Sequence, residues 1–222
     1  MGYMRISEMF RSIQGEGLLA GVVSGFIRTA GCNLRCGWCD TPYALAAEEG
    51  REVELAAIMG QVRAWECRHV VVTGGEPLIA VELPRLTAAL REDGRHITVE
   101  TNGLVYRPME CDLASLSPKL ANALPGMPFE KRINLAALRE FVGRHEYQFK
   151  FVVEGEADLE EIESLRKRMP GVERERVLLM PQARSRAEYQ AAAARVAQWC
   201  IERGYRFGPR VHLEIWDNLK GK

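Results

Sequence analysis

Apolar and polar positions follow two alternating regimes along this chain. Short runs rich in β-branched residues at 25–29, 69–73, 96–101, 113–117, 148–154 and 177–180 read as strands, with a last one at 211–216. Between them, apolar residues recur at helical spacing over 53–66, 83–92, 135–143, 158–169 and 187–203. The punctuation agrees with that division. Pro84 suits a first helical turn, Asp158 an N-cap, and Gly204 a helix stop, while Asn102-Gly103 marks a turn. Runs such as His69-Val70-Val71-Val72-Thr73 are apolar throughout, as parallel strands covered on both faces are. The pattern predicts an α/β chain, a single domain over 1–222 with about six strand–helix units and mostly parallel strands. Right-handed βαβ units can curl into a barrel, but a complete eight-unit barrel takes ~250 residues. The expectation is therefore a partial (β/α)6-type TIM-like barrel.

Composition narrows the class. Lys+Arg and Asp+Glu both total 30, so the absence of net charge speaks against a basic nucleic-acid binder. No apolar run is long enough to cross a bilayer, and residues 1–11 lack the apolar stretch of a secretion signal. The expected location is cytoplasmic, with no membrane or nucleic-acid partner. Of the 6 cysteines, Cys67, Cys111 and Cys200 are scattered and read as reduced, buried small residues.

The other three cluster as Cys32-Asn33-Leu34-Arg35-Cys36-Gly37-Trp38-Cys39-Asp40, a C-x3-C-x2-C spacing. Three thiolates on so short a run can hold three corners of an iron–sulfur cube and leave one iron open, which suits catalysis better than electron storage. A zinc knot would need a fourth ligand, and no second Cys or His pair is present in the sequence to supply it. Trp38 can shield such a cluster from water.

The remaining unusual residues sit where predicted strands end. Thr73-Gly74-Gly75-Glu76-Pro77 follows one strand, Glu100 to Asn102 another, Ser117-Pro118-Lys119 a third and Pro181-Gln182 a fourth. In a parallel barrel those ends share the face on which chemistry is built. Paired glycines let a backbone approach a ligand closely, or simply shape a strand–turn–helix junction. Gln14-Gly15-Glu16-Gly17 offers donors and an acceptor suited to a flat nitrogen-rich ring, or forms a solvated turn. Arg28 can grip a carboxylate bidentately or make an ordinary salt bridge. Thr41 can ligate a hard cation or cap a turn.

Cysteine spacing followed by Gly-Gly-Glu-Pro resembles the radical S-adenosylmethionine superfamily over most of the chain. Gln14-Gly15-Glu16-Gly17, Arg28, Cys39-Asp40-Thr41, residues 73–77, Glu100-Thr101-Asn102-Gly103 and Ser117-Pro118-Lys119, in that order, narrow the resemblance to the 7-carboxy-7-deazaguanine synthase family. That family converts 6-carboxy-5,6,7,8-tetrahydropterin to 7-carboxy-7-deazaguanine, with loss of ammonia, in queuosine and 7-deazapurine biosynthesis. The resemblance implies a magnesium-using lyase, a homodimer, and a reductant such as flavodoxin or ferredoxin.

Residue by residue it implies the following. Cys32, Cys36 and Cys39 hold the [4Fe-4S] cluster, and Thr41 ligates Mg2+. Trp38, Asp40, Gly74, Gly75, Glu76, Ser117, Pro118 and Lys119 approach S-adenosylmethionine, with Gln182, Ala183, Arg184 and Ser185 at its adenosine half. Ile13, Gln14, Gly15, Glu16, Arg28 and Thr73 meet the pterin. His212 matches a late family histidine that completes the substrate pocket, though the chain here continues past it. It can equally be an ordinary strand residue. An activase generating a glycyl radical on a partner protein shares the cysteine spacing and is the main alternative. An electron carrier and a zinc-binding module are the others.

Overall fold

A computed structural model describes residues 2–217 and 219–221. Its strands are β1 (Tyr3–Ile13), β2 (Val23–Thr29), β3 (Arg51–Glu54), β4 (His69–Gly74), β5 (His96–Thr101), β6 (Leu113–Leu116), β7 (Tyr147–Val153), β8 (Val177–Pro181) and β9 (Arg206–Phe207). Its helices are α1 (Leu55–Ala64), α2 (Leu83–Glu92), α3 (Phe129–Arg132), α4 (Leu135–Arg144), α5 (Glu156–Arg168), α6 (Arg186–Arg203) and α7 (Val211–Trp216). The strands form one 9-stranded sheet in the order β3-β1-β2-β4-β5-β6-β7-β8-β9. From β2 through β9 neighbouring strands are parallel, whereas β1 is antiparallel to both β2 and β3. The sheet is open, with β3 and β9 at its edges, so the partial barrel is what folds.

Side-chain alternation divides each parallel strand between two interiors. Val70 and Val72, Ile97 and Val99, Ala114 and Leu116, Phe149 and Phe151, and Val177 and Leu179 join Leu86, Leu138, Phe141, Ile162 and Val196 of the helices in one apolar core. The intervening residues point the other way. They include Thr73, Glu100, Ser115, Gln148 and Lys150, which make the mouth of the half-barrel polar although the strands carrying them look apolar. Parallel register places Arg28 beside Thr73 and Glu100 beside Ser115, which in turn adjoins Gln148.

Several expected boundaries shift. The 53–66 stretch is split, because Arg51–Glu54 pairs with β1 before α1 begins. Tyr3–Ile13 is a strand that the apolar runs did not announce, since Arg5, Glu8 and Arg11 interrupt its apolar residues. Asp158 lies inside α5 rather than at its cap. From there its carboxylate accepts from the backbone of Glu154 (2.7 Å) and Gly155 (3.1 Å), satisfying helix-entry amides. Ser185 is a true N-cap, accepting from Glu188 N at 3.2 Å, and Gly204 ends α6 in the left-handed region at φ 69°.

The largest correction concerns 211–216, expected as a strand. It is the helix α7. Arg206–Phe207 has already taken the open edge of β8, and Gly208 N donates to Leu179 O (2.8 Å), leaving no free ladder for a later segment. One helical turn then buries Leu213 against Ala183 and Tyr189 while Ile215 stays exposed.

Phe151 is 1% exposed and stacks on Phe149 at 5.9 Å, so its side chain has nowhere to collapse. Phe151→Ala is expected to lower unfolding free energy by about 3–5 kcal/mol, read from urea titration of the protein.

Candidate active site

The carboxyl ends of the parallel strands surround one cavity of about 500 Å³, the size of a small-ligand site. The three clustered thiols enter it from the loop after β2 and are free and half-buried. That loop is pinned at many points. Gly31 N and Cys32 N donate to Ala44 O and Leu45 O, Gly37 N to Ala123 O, and Asn102 Nδ2 to Asn33 Oδ1 (2.7 Å). Arg35 Nη1 donates to Cys32 O at 2.7 Å, and Arg184 Nη2 to Gly37 O at 2.5 Å. Leu34, Ala123 and Leu124 form a small apolar bed under Cys32, Cys36 and Trp38. Three free thiols on one anchored loop, with apolar backing and no competing acid among the bed residues, are a donor set that fits an iron–sulfur cluster. With no metal beside them, burial pushes the Cys32 and Cys36 thiols up.

Gly74 and Gly75 line the cavity, yet their need for glycine comes from the protein itself. A Cβ on Gly75 would sit 2.2 Å from Gly31 O and 2.6 Å from Ala44 O, and one on Gly74 would sit 2.4 Å from Thr29 O. The turn after β4 thus packs directly on the backbone of the cysteine loop. Glu76 does not reach the cavity. It is 1% exposed, and its carboxyl accepts from Thr101 Oγ1 (2.7 Å), Asn102 N (2.7 Å) and Leu78 N (3.0 Å). Burial pushes this carboxyl up against the pull of those donors. Its place is to join the ends of β4 and β5, and through Asn102 it reaches the cysteine loop. Pro118 and Ser185 also lie outside the cavity lining; Ser185 is occupied as the α6 cap.

On the other side of the mouth lies a chain of charges. Lys150 donates to Glu16 Oε2 (3.0 Å) and Glu100 Oε1 (2.9 Å). Glu100 also accepts from Thr73 Oγ1 (3.0 Å) and Gln14 Nε2 (3.3 Å), and Gln14 Oε1 accepts from Glu16 N. Arg210 closes the series with Nε on Glu16 Oε1 at 3.0 Å. Burial alone would push the Glu16 carboxyl up, but Lys150, Arg210 and His212 outweigh it and hold it far below the usual carboxylate range. Burial likewise opposes the charge on Lys150, and the two carboxylates raise it above an ordinary lysine.

Arg28 lines the same cavity, packed over Phe10 and paired through Nε with Glu8 Oε1 at 2.7 Å. The ordinary ion pair is what the structure shows, with the guanidinium at the cavity mouth. The same Glu8 oxygen accepts from Tyr43 Oη (2.8 Å). Burial pushes the Tyr43 phenol up to about 12, against the pull of Arg28. Thr41 opens a short turn at Pro42–Ala44 but makes no side-chain cap; its hydroxyl instead lies 3.9 Å from Cys39 Sγ, within hydrogen-bond reach of that thiol. Lys119 lies 5.3 Å over the Trp38 ring and donates to Ser117 Oγ.

His212 is on α7 rather than a strand, and it lines the cavity. A Cβ on Gly15 would lie 2.2 Å from its Nδ1, and Val211 N donates to Gly15 O (2.8 Å). Beyond it the tail returns across the mouth, with Leu219, Lys220 and Gly221 in the lining and Lys220 Nζ 4.0 Å from the Tyr43 ring. Ile13, Asp40, Gln182, Ala183 and Arg184 also face the cavity. Sequence reading assigned no role to Glu8, Tyr43, Glu100, Lys150 or Arg210. Glu100 was noted only as part of a strand-end motif, and Lys150 carried a local signal as a lone charge between the buried Phe149 and Phe151.

Comparison with known proteins agrees with this geometry. Residues 26–140 match the Radical SAM superfamily. A 7-carboxy-7-deazaguanine synthase of Halobacterium salinarum is 38% identical over 96% of this chain and 90% of its own length. One from Rhodopirellula baltica is 39% identical over 97% of this chain and 88% of its own. The crystal structure of QueE from Escherichia coli superposes with a TM-score of 0.75 at 27% identity, covering 95% of both chains. A half-barrel with a cysteine-bearing loop at its mouth is thus shared in fold and in sequence, and the chain belongs to the 7-carboxy-7-deazaguanine synthase family of radical SAM enzymes.

Proposed function

We propose that this chain converts 6-carboxy-5,6,7,8-tetrahydropterin to 7-carboxy-7-deazaguanine with release of ammonia, as a ring-contracting lyase. The observation that carries the reading is the placement of the Gln14, Glu16, Glu100 and Lys150 network opposite the three thiols across a single cavity. A pterin presents a planar edge of amide and amine N–H groups together with ring acceptors. A carboxylate held ionised beside a buried lysine, as Glu16 is, makes a strong acceptor for such an edge. Gln14 and Thr73 supply the polar groups beside them.

A [4Fe-4S] cluster on Cys32, Cys36 and Cys39, with S-adenosylmethionine, supplies the one-electron chemistry that starts the rearrangement. This chain's residues hold and orient. Trp38, Lys119, Ser117, Gly74 and Gly75 border the cofactor side, with Gln182, Ala183 and Arg184 at its adenosine end. Arg28 faces the pterin's carboxylate, and Glu8 keeps its guanidinium in place. The uncapped Thr41 hydroxyl is the protein ligand for Mg2+ beside that carboxylate. His212, seated on Gly15, closes the pterin side. The enzyme acts as a homodimer in the cytoplasm with a flavodoxin- or ferredoxin-type reductant. The apolar bed of Leu34, Ala123 and Leu124 limits water near the thiols.

The direct test is anaerobic turnover of reconstituted protein with the pterin, S-adenosylmethionine and dithionite. Formation of the deazaguanine acid is expected, and 5′-deoxyadenosine without that product would refute the assignment. Lys150→Met should leave two facing carboxylates without their shared cation. Pterin binding is expected to weaken by at least about tenfold and unfolding free energy to fall by about 3–5 kcal/mol, read by fluorescence titration and urea unfolding.

His212 is held below its ordinary 6.5 by burial and by Arg210 and Lys150, against the opposing pull of Glu16 and Asp40. A histidine whose folded pKa is depressed contributes nothing above its unfolded pKa. It destabilises as pH falls below about 6.5, because the unfolded chain then binds the proton more readily. His212→Gln is therefore expected to flatten the fall in melting temperature between pH 7 and pH 5.5, measured by differential scanning calorimetry. Glu16 acts in a separate, more acidic window, below its ordinary 4.5.

A further inference from the structure

Arg210 is 4% exposed, and its side-chain hydrogen bonds reach three separate walls of the cavity. Nε donates to Glu16 Oε1 at 3.0 Å on the β1–β2 connection. Nη1 donates to Ala183 O at 2.6 Å after β8. Nη2 donates to Asp40 Oδ2 at 2.8 Å, next to Cys39. Its own backbone is fixed too, because Leu213 N donates to Arg210 O and Val211 N to Gly15 O. A planar guanidinium with donors at fixed angles sets the relative positions of its acceptors, which a lysine ammonium on a flexible stem does not. Glu16 belongs to the pterin side and Asp40 to the cysteine loop, so this one group spans the two halves of the site.

We propose that Arg210 is a positioning residue that locks the pterin-facing Glu16 and the cysteine-loop residue Asp40 into one rigid frame, and so sets how the substrate lies relative to the radical source. The inference rests on the synthase reading for the identity of the substrate, while the mechanical coupling stands independently of it. The buried ends of the fork carry the larger share. Among the described residues the Glu16 carboxylate is otherwise paired with Lys150 alone, whereas the Asp40 side chain is half exposed and its pair is partly screened.

The test compares Arg210→Lys with the wild-type enzyme. The lysine keeps the charge but reaches one acceptor at a time. In cluster-free protein, backbone amides of both 14–17 and 40–45 are expected to exchange hydrogen faster in the variant. In reconstituted protein, the pterin dissociation constant should rise by at least about tenfold, the loss for one charged hydrogen bond to a buried carboxylate, while that for S-adenosylmethionine stays within about twofold. The yield of 5′-deoxyadenosine per deazaguanine should rise, because an ill-placed substrate lets cofactor cleavage go unused.

Faster exchange confined to one segment would overturn the proposal. So would equal weakening of both ligands, or a lower melting temperature with unchanged binding, since each would make Arg210 merely structural. If Arg210→Lys fails to fold, Asp40→Ala breaks one arm alone, by removing the acceptor for Arg210 Nη2. It should raise the abortive yield while pterin affinity stays within about twofold, and an unchanged yield would sink the coupling. If wild-type protein neither binds nor turns over the pterin, the synthase reading fails while the exchange result still decides the coupling.

Discussion

The mouth of the half-barrel is built around a row of opposite charges taken out of water. Arg210, Glu16, Lys150 and Glu100 follow one another at hydrogen-bond distance, and Lys150 and Arg210 are almost wholly enclosed. A buried ion without a partner costs several kcal/mol, so none of these groups can be removed or moved alone. The row therefore imposes geometry on everything it touches. It holds the 14–17 segment against β7, brings α7 onto Gly15, and leaves acceptors facing the cavity in a fixed charge state. As a contribution to stability such a row is worth little against an apolar replacement. What it provides is a rigid polar surface on which a planar heterocycle can be held in one orientation.

Facing it is a rigid surface of another kind. The cysteine loop has little regular structure, and its order comes from backbone hydrogen bonds, from Asn33 and Arg184, and from the Gly74-Gly75 turn pressed on Gly31 and Ala44. Glu76, spent wholly on Thr101, Asn102 and Leu78, joins the turn to β5. The Gly-Gly-Glu-Pro motif thus stabilises the thiol-bearing loop from within the protein. Arg210 connects the two surfaces, and Leu219, Lys220 and Gly221 line the same cavity, with Lys220 over the Tyr43 ring.

Much of this was legible from local pattern. Six of the seven expected strands formed within two residues of their expected limits, since continuous apolar runs have few other solutions in a chain with intervening amphipathic helices. The exceptions share a cause. Tyr3–Ile13 alternates charged with apolar residues because it is half covered. Residues 211–216 alternate too, yet fold as α7 because Arg206–Phe207 already occupies the β8 edge. Two-residue periodicity signals half burial; it does not say whether a sheet edge is still vacant. The paired glycines were read as letting the backbone approach a ligand or as shaping a strand–turn–helix junction, and in the structure they press on the protein's own backbone at Thr29, Gly31 and Ala44.

The cysteine spacing, the strand-end motifs and the helix caps are short-range facts, set by residues a few positions apart, and the sequence by itself determined them. The family and the class of chemistry follow from those. The tertiary structure decided which charges meet. Arg210 and Glu16 are 194 residues apart, Arg210 and Asp40 170, and Lys150 and Glu16 134. No local preference encodes such pairs. They exist because strand register and the docking of the last helix bring distant side chains into one enclosed space, where each charge must find its opposite.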